Sequence, residues 1–479
     1  MTAPPLIPVA LLVTLLALPA GAALSWSVSQ EKAHLFARAA SVAAFLAALL
    51  LLVVQARGQW GGFLALDPLS DLFLFLVTSI HLTSVWYSRG YLSDVHEPFL
   101  LPRTYYALLA AFTVAMLFTV SASDLGLLWI GVESTTVASA LLIVLERKVA
   151  SVEAAWRYTL IASAGLAVAL LGLVLLYQAT GTLNIRTLAE APPPFSLLVG
   201  LVVALSLVGF GTKVGIFPMH AWLPDAHSEA PAPVSALFSG VLLPTALYAF
   251  LRVEAIVPQG GPLPLHALVE AFGLTTALVA ALLLQEQRSF KRLLAYSSME
   301  NMGLALVGIG IGGIGLYAAL LLVVAHAYAK SSAFYCAGNV LRATGTNRIA
   351  DVRDLRHRMP WTAGLWVLSG LAVTGAPPFG TFLAEVLLVA AALASGSPAV
   401  AVLLVTAIAV AFLGVNHQLG GMVFHRPAVP ASPVLREPRD SVALPLANLG
   451  VALAIGIVSI PYLSQAIRAA AQLLGGPVP

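Results

Sequence analysis

The chain has 479 residues, of which 59% are hydrophobic and only 9% charged, with a mean hydropathy of +0.94. Soluble domains carry roughly 25% charged residues, so these totals exclude a soluble enzyme and indicate a polytopic membrane protein. The net charge is +3, and the one cysteine, Cys336, excludes a disulfide framework, a thiolate zinc site and an iron–sulfur cluster held by this chain alone.

Apolar runs longer than about 17 residues, separated by polar or Pro/Gly-rich breaks, predict an all-α protein of about 14 spans. The first run, 5–24, lacks a basic leader and is long enough to span, so it reads as a transmembrane helix and not a signal peptide. The next five are 36–55, 69–87, 104–121, 124–145 and 156–178. The seventh, 195–225, is broken by Pro218. Spans 233–252, 265–284, 292–312 and 314–341 follow. The twelfth, 361–395, is broken around Pro377 and Pro378, and 398–415 and 441–463 complete the set.

Loops after odd-numbered spans hold 18 of the 24 basic residues, among them Arg147, Lys148, Arg157, Lys291 and Arg342; the other side holds Arg57, Arg186, Arg252 and Arg468. By the positive-inside rule both termini face outside, and the basic loops face the cytoplasm. Trp86 and Tyr87, Trp156 and Tyr158, and Trp361 stand where interfacial aromatics belong.

Lys213 and Lys330 are left over, and both fall inside spans. An ionisable group near the bilayer centre costs about 2.5–3.5 kcal/mol, which marks it as functional. Glu133 lies roughly 13 Å beyond Asp124 along the fifth span, with Ser134, Thr135, Thr136 and Ser139 behind it. Lys213 lies roughly 10 Å from the end of its half-helix at His220, too far to snorkel. His326 and Lys330 are four residues apart, hence on one helix face, beside Ser331 and Ser332. Glu385 opens the second half of the twelfth span. His220, Asp225, His227 and Glu300 are secondary candidates. Lysine, glutamate and histidine are proton carriers, and no phosphate loop, metal-ligand cluster or serine nucleophile elbow accompanies them.

The two broken spans are five apart and so cross the bilayer in opposite directions, which suits inverted repeats meeting at a midplane ion site. The expected units are N-terminal helices 1–3 (1–103), a first five-helix repeat (104–256), a second (257–420), and a polar loop with a last helix (421–479).

"KVGIFPMHAWLPDAHSEAPAPVSALFSG", "SFKRLLAYSSMENMG", "HAYAKSSAFY" and "GAPPFGTFLAEVLL" resemble the proton-translocating antiporter-like membrane subunits. That family holds subunits L, M and N of NADH-quinone oxidoreductase and the D subunit of Mrp Na⁺/H⁺ antiporters. The wording is most similar to the F-subunit branch of hydrogenase-4. The resemblance implies that Glu133 pairs with Lys213, that Lys330 is the central lysine with His326 beside it, and that Glu385 is the terminal group. Some relatives carry a lysine or histidine in the eighth span; here those positions are Pro244 and Ser239. The expected link between half-channels is therefore a water chain supported by the loosened eighth span and His326.

The implied role is a proton-translocating subunit, not itself catalytic, of a complex I-like or hydrogenase-4-like respiratory complex in the inner membrane. Membrane and peripheral partner subunits would hold iron–sulfur, flavin or nickel–iron centres, with no cofactor or metal bound by this chain and no nucleic acid. The alternative is a cation/proton antiporter unit, with Na⁺ in place of H⁺, or the proton-conducting partner of an inorganic-carbon uptake system.

Overall fold

The computed structural model of the chain describes residues 6–93, 99–146, 148–256, 264–425, 437–458 and 460–475. Arg147, Arg426 and Arg436 of the basic loops lie outside the described residues. Helices α1 (Leu6–Ser25) and α2 (Ala33–Val54) pack as a pair, followed by a hairpin of β1 (Gly58–Trp60) and β2 (Leu64–Leu66) with Gly58 opposite Leu66. Next come α3 (Pro68–Leu92), α4 (Pro102–Ser121), α5 (Leu125–Ile143), α6 (Val149–Thr180) and the short α7 (Ile185–Glu190). The seventh span is α8 (Leu197–Val214) and α9 (Trp222–Glu229); the eighth is α10 (Ala232–Leu237), a π-helical turn at Phe238–Leu242 and α11 (Leu243–Glu254). Then follow α12 (Leu265–Leu283), α13 (Phe290–Ile311), α14 (Ile314–Thr344), α15 (Leu355–Arg358), α16 (Pro360–Val373), α17 (Gly380–Ala394), α18 (Pro398–Phe424), α19 (Arg439–Ile457) and α20 (Pro461–Leu473).

Among the described residues, eleven helices are long and apolar enough to cross a membrane, or twelve if the pair Ser441–Ile457 and Pro461–Leu473, bent by 70°, is one span. The chain is an all-α polytopic membrane protein. Two of the fourteen expected spans fall short of that test. α13 carries Lys291, Arg292 and Glu300, and α16 and α17 are only 14 and 15 residues long, each short of a full span. The run read as 441–463 crosses the bend before Pro461, because hydropathy does not register direction. α6 and α18 extend well past their apolar cores, since a helix continues until something caps it.

Local chemistry sets the ends. Asp67 accepts from Ser70 N–H with Pro68 in the first turn of α3, and Asp124 accepts from Gly126 and Leu127 at the start of α5. α14 and the α10–α11 span are buried nearly all round, whereas α1, α2, α6, α12 and α18 leave most of their surface outward. The ionisable groups sit on and around the buried helices.

Two stretches of chain share a set of backbone features. Leu125 N–H donates to Leu183 O and Ile185 N–H to Ser123 O, both at 3.0 Å; likewise Phe290 N–H donates to Asn347 O at 3.1 Å and Ile349 N–H to Arg288 O at 2.9 Å. Gly181 and Gly345, at φ +73° and +72°, close α6 and α14. Each broken span has a left-handed glycine at the break, Gly215 or Gly375, and a cis proline three residues on, Pro218 or Pro378.

A buried line of ionisable groups

Lys213 lies in the last turn of α8, after which Gly215 turns the chain at φ +84° and donates back to Gly211 and Thr212. The side chain is fully buried. Its amine donates to Thr136 Oγ1 and to Tyr158 OH, each at 2.6 Å, and lies 4.6 Å from the Tyr158 ring centre. Ser139 and Tyr158 hydroxyls meet at 2.8 Å. Of the Thr/Ser stripe of α5, Thr136 solvates the lysine directly and Ser139 does so through Tyr158. Tyr158 is buried at this amine and is not the interfacial aromatic expected; Tyr87 is buried too, whereas Trp86, Trp156 and Trp361 are exposed.

Glu133 is half-buried, with Oε1 accepting from Ser163 at 2.6 Å and Oε2 without a partner among the described residues. Its charge bears on Lys213, but no ion pair within 4 Å joins them among the described residues. The carboxylate acts across a gap.

Lys330 is also fully buried. Its amine donates to Leu294 O at 2.8 Å and to Ser297 Oγ, both on α13. Glu300, one turn along α13, is buried and accepts from Asn301 at 2.7 Å. It is the charged neighbour of both Lys330 and Glu385. Glu385 is buried and folds back onto the twelfth-span break, where a Cβ on Gly375 would overlap its carboxyl group. Glu300, a secondary candidate in sequence, therefore stands between Lys330 and Glu385.

Between the two lysines lies the π-helical turn. Leu243 N–H reaches back to Phe238 O, and Pro244 has no N–H to offer the carbonyl of Gly240. Ser239 Oγ meets Ser298 Oγ at 2.7 Å. His326 is fully buried beside this turn, with the Ser239 backbone as the polar group facing its ring and no hydrogen bond within 3.5 Å on either ring nitrogen among the described residues. His227 is in the same state; its ring stacks on Phe334 (centroids 5.4 Å apart) and meets Phe238 edge-on, and Phe238 in turn packs on Tyr158. His220 is half-buried in the seventh-span break, between Phe217 and Tyr296.

Asp225 is not in the line. It joins Arg157 at 3.1 Å and Arg292, so it anchors α9 to α6 and α13. It lies as far after Gly215 (215 to 225) as Glu385 lies after Gly375 (375 to 385), yet one carboxylate is paired with arginines and the other is held in the core. Sequence reasoning also placed Lys291 in a loop; it is buried, with its amine on Ser228 O and Ala230 O. Only its place beside Arg292 and Arg288 in a basic run hid it.

At the opposite face, buried Arg252 meets Asp67 at 2.6 Å and donates to Tyr248 OH and Ser70 Oγ. Burial pushes the Asp67 carboxyl up, but the Arg252 charge and hydrogen bond and the Ser70 N–H more than offset it, leaving Asp67 below its ordinary 3.8.

Residues 122–411, which hold every group of the line, match the family described as "NADH:quinone oxidoreductase/Mrp antiporter, TM". The chain belongs to this family. It is 34% identical over 390 residues to a hydrogenase-4 component F homolog of Methylacidiphilum infernorum, covering 78% of this chain and 82% of the relative. It is 33% identical over 430 residues to an NADH-quinone oxidoreductase subunit N of Desulforudis audaxviator, covering 85% and 84%. Its fold matches a chain of an archaeal membrane-bound sulfane sulfur reductase with a TM-score of 0.88 over 98% of both chains, at 22% identity.

Proposed function

We propose that this family member is the proton-translocating membrane subunit of a complex I-like or hydrogenase-4-like respiratory complex in the cytoplasmic membrane. Redox chemistry at iron–sulfur, flavin or nickel–iron centres in partner subunits would drive protons along Glu133, Lys213, His326 with Lys330, and Glu385, with Glu300 between the last two. The observation that carries this is the setting of the two lysines. Each is fully buried, and among the described residues each amine is held by hydroxyl or carbonyl oxygens and by no carboxylate.

Such an amine can gain or lose a proton without breaking an ion pair. A carboxylate acting across a gap, Glu133 for Lys213 and Glu300 for Lys330, biases which state is held. Half-buried Glu133 can in turn feel a charge on a neighbouring subunit. The matched breaks at Gly215 and Gly375 support two inverted repeats, 104–256 and 257–420, within a fourteen-span chain.

The test is purification of the tagged full-length chain from its native membrane. Redox subunits should accompany it, and Lys213→Ala should assemble but abolish redox-driven proton translocation in vesicles. A chain that purifies without redox subunits and exchanges Na⁺ for H⁺ would overturn the proposal in favour of an antiporter unit.

A further inference from the structure

On the basic face, a pocket of about 90 Å³ is lined by Tyr91, Glu146, Ser228, Glu229 and Lys291, among others. Lys291 closes its inner wall. The amine donates at 2.7 Å to Ser228 O, and also to Ala230 O, at the carbonyl end of α9, where a helix attracts a cation. Glu146 and Glu229 are its acidic neighbours, but neither is in ion-pair contact with it among the described residues. Lys291 is thus a cation spent on backbone carbonyls at the lip of a cavity.

One residue inside Ser228 is His227. A neutral imidazole has one donor and one acceptor, and leaving either unmet in a core costs about 1–3 kcal/mol. A histidine with a merely structural place is bonded, as His81 is to Thr113 Oγ1 at 2.8 Å. Among the described residues His227 has no such partner on either nitrogen. Buried polar groups of that kind are met by water. Its charged neighbours are Lys291 on the pocket side and Lys330 on the other, and His326 lies within reach of its charge.

We infer that protons enter the chain from this pocket and reach Lys330 through His227, with Lys291 as the gate at the mouth. This rests on Lys330 being a proton carrier. At the opening Glu146 is paired with Lys148, and Glu229 lines the wall beside Lys291. While the Lys291 ammonium bridges the two carbonyls it pins the end of α9 and repels a second positive charge. When it swings away, Ser228 and Ala230 are free to hydrate, and water joins the pocket to His227. The imidazole then takes a proton on one ring nitrogen and releases the proton from the other towards a neutral Lys330, ending neutral in the opposite tautomer, which a ring flip resets for the next proton.

The experiment uses the intact complex in inverted membrane vesicles, with the basic face outward. His227→Gln keeps a polar side chain that cannot relay a proton. Redox-driven proton uptake should fall roughly a hundredfold, and imidazole in the bath should restore part of it. Wild-type uptake by an assembled His227→Gln complex, or a loss that imidazole does not relieve, overturns the relay. If that variant does not assemble, the surface pair Glu146→Gln with Glu229→Gln decides: slowed uptake supports the inlet and wild-type uptake overturns it. Lys291→Met should make resting vesicles leak protons, and tight vesicles overturn the gate. Lys330→Ala is run alongside. If it pumps normally the proton-carrier role of Lys330 fails, whereas a dead Lys330→Ala beside a normal His227→Gln condemns the inlet alone.

Discussion

At the scale of single residues, the proposed function turns on how each buried charge is solvated. Lys213 depends on two neutral acceptors, Thr136 and Tyr158. A hydrogen bond to a charged group contributes about 1.5–3 kcal/mol. Removing both with Thr136→Val and Tyr158→Phe should therefore slow redox-driven pumping by roughly tenfold or more, with the complex still assembled; a wild-type rate in vesicles would refute it. Gly375 offers a second test. It sits at φ +67°, and an added Cβ would overlap the Glu385 carboxyl group. Gly375→Ala should cost about 1–2 kcal/mol in backbone conformation alone and, by displacing Glu385, stop pumping. Gly364→Ala, where a Cβ meets open space, should leave pumping unchanged in the same assay. The sequence exposed the lysines and glutamates because charge in an apolar run is conspicuous. It hid Tyr158, Lys291 and the importance of Glu300, because their roles depend on which helix faces them.

At the scale of elements, the helices were legible and their ends and partners were not. Apolar runs located every long helix, but the β1–β2 hairpin is too short to show alternation, and α20 is amphipathic and was absorbed into the span before it. Pro244 signalled a loosened eighth span, and the π-helical turn lies just before it. What pins that span at its far end is the Arg252–Asp67 pair between α11 and α3, which no single-span pattern reveals. Removing one partner of a fully buried pair costs about 3–5 kcal/mol. Asp67 keeps 27% of its side chain exposed, so Asp67→Asn should cost less, about 2 kcal/mol. The folded-state pKa of Asp67 is depressed, so its contribution is present above the ordinary value of 3.8 and is lost as pH falls through the folded value. Melting curves of the purified protein should show Asp67→Asn less stable than wild type at neutral pH, with the difference closing as pH falls below 3.8. A gap that persists in acid would mean the carboxylate charge is not what matters.

At the scale of the whole molecule, the face that meets the cytoplasm fixes the direction in which the proposed line would carry protons. The loop count of 18 basic residues against four includes two that the structure withdraws: Lys291 is buried on α9 carbonyls, and Arg252 is buried in its pair with Asp67. Neither is free to act as a topological signal in the finished fold. Setting them aside leaves seventeen against three, so the asymmetry survives and still favours the proposed orientation with the basic loops in the cytoplasm. One half-buried and one exposed loop position report on the two faces. Thr346 lies in the loop after α14, beside Arg348 and Asp351, and Ala191 follows α7 on the other side and is exposed. The native Cys336 is fully buried, and replacing it with serine removes any background. In intact cells treated with a membrane-impermeant thiol reagent, Ala191→Cys should label and Thr346→Cys should not, and permeabilisation should make both react. The reverse pattern would place the Glu146–Lys291 pocket on the outer face, turning a proton inlet into an outlet while leaving the buried line itself intact.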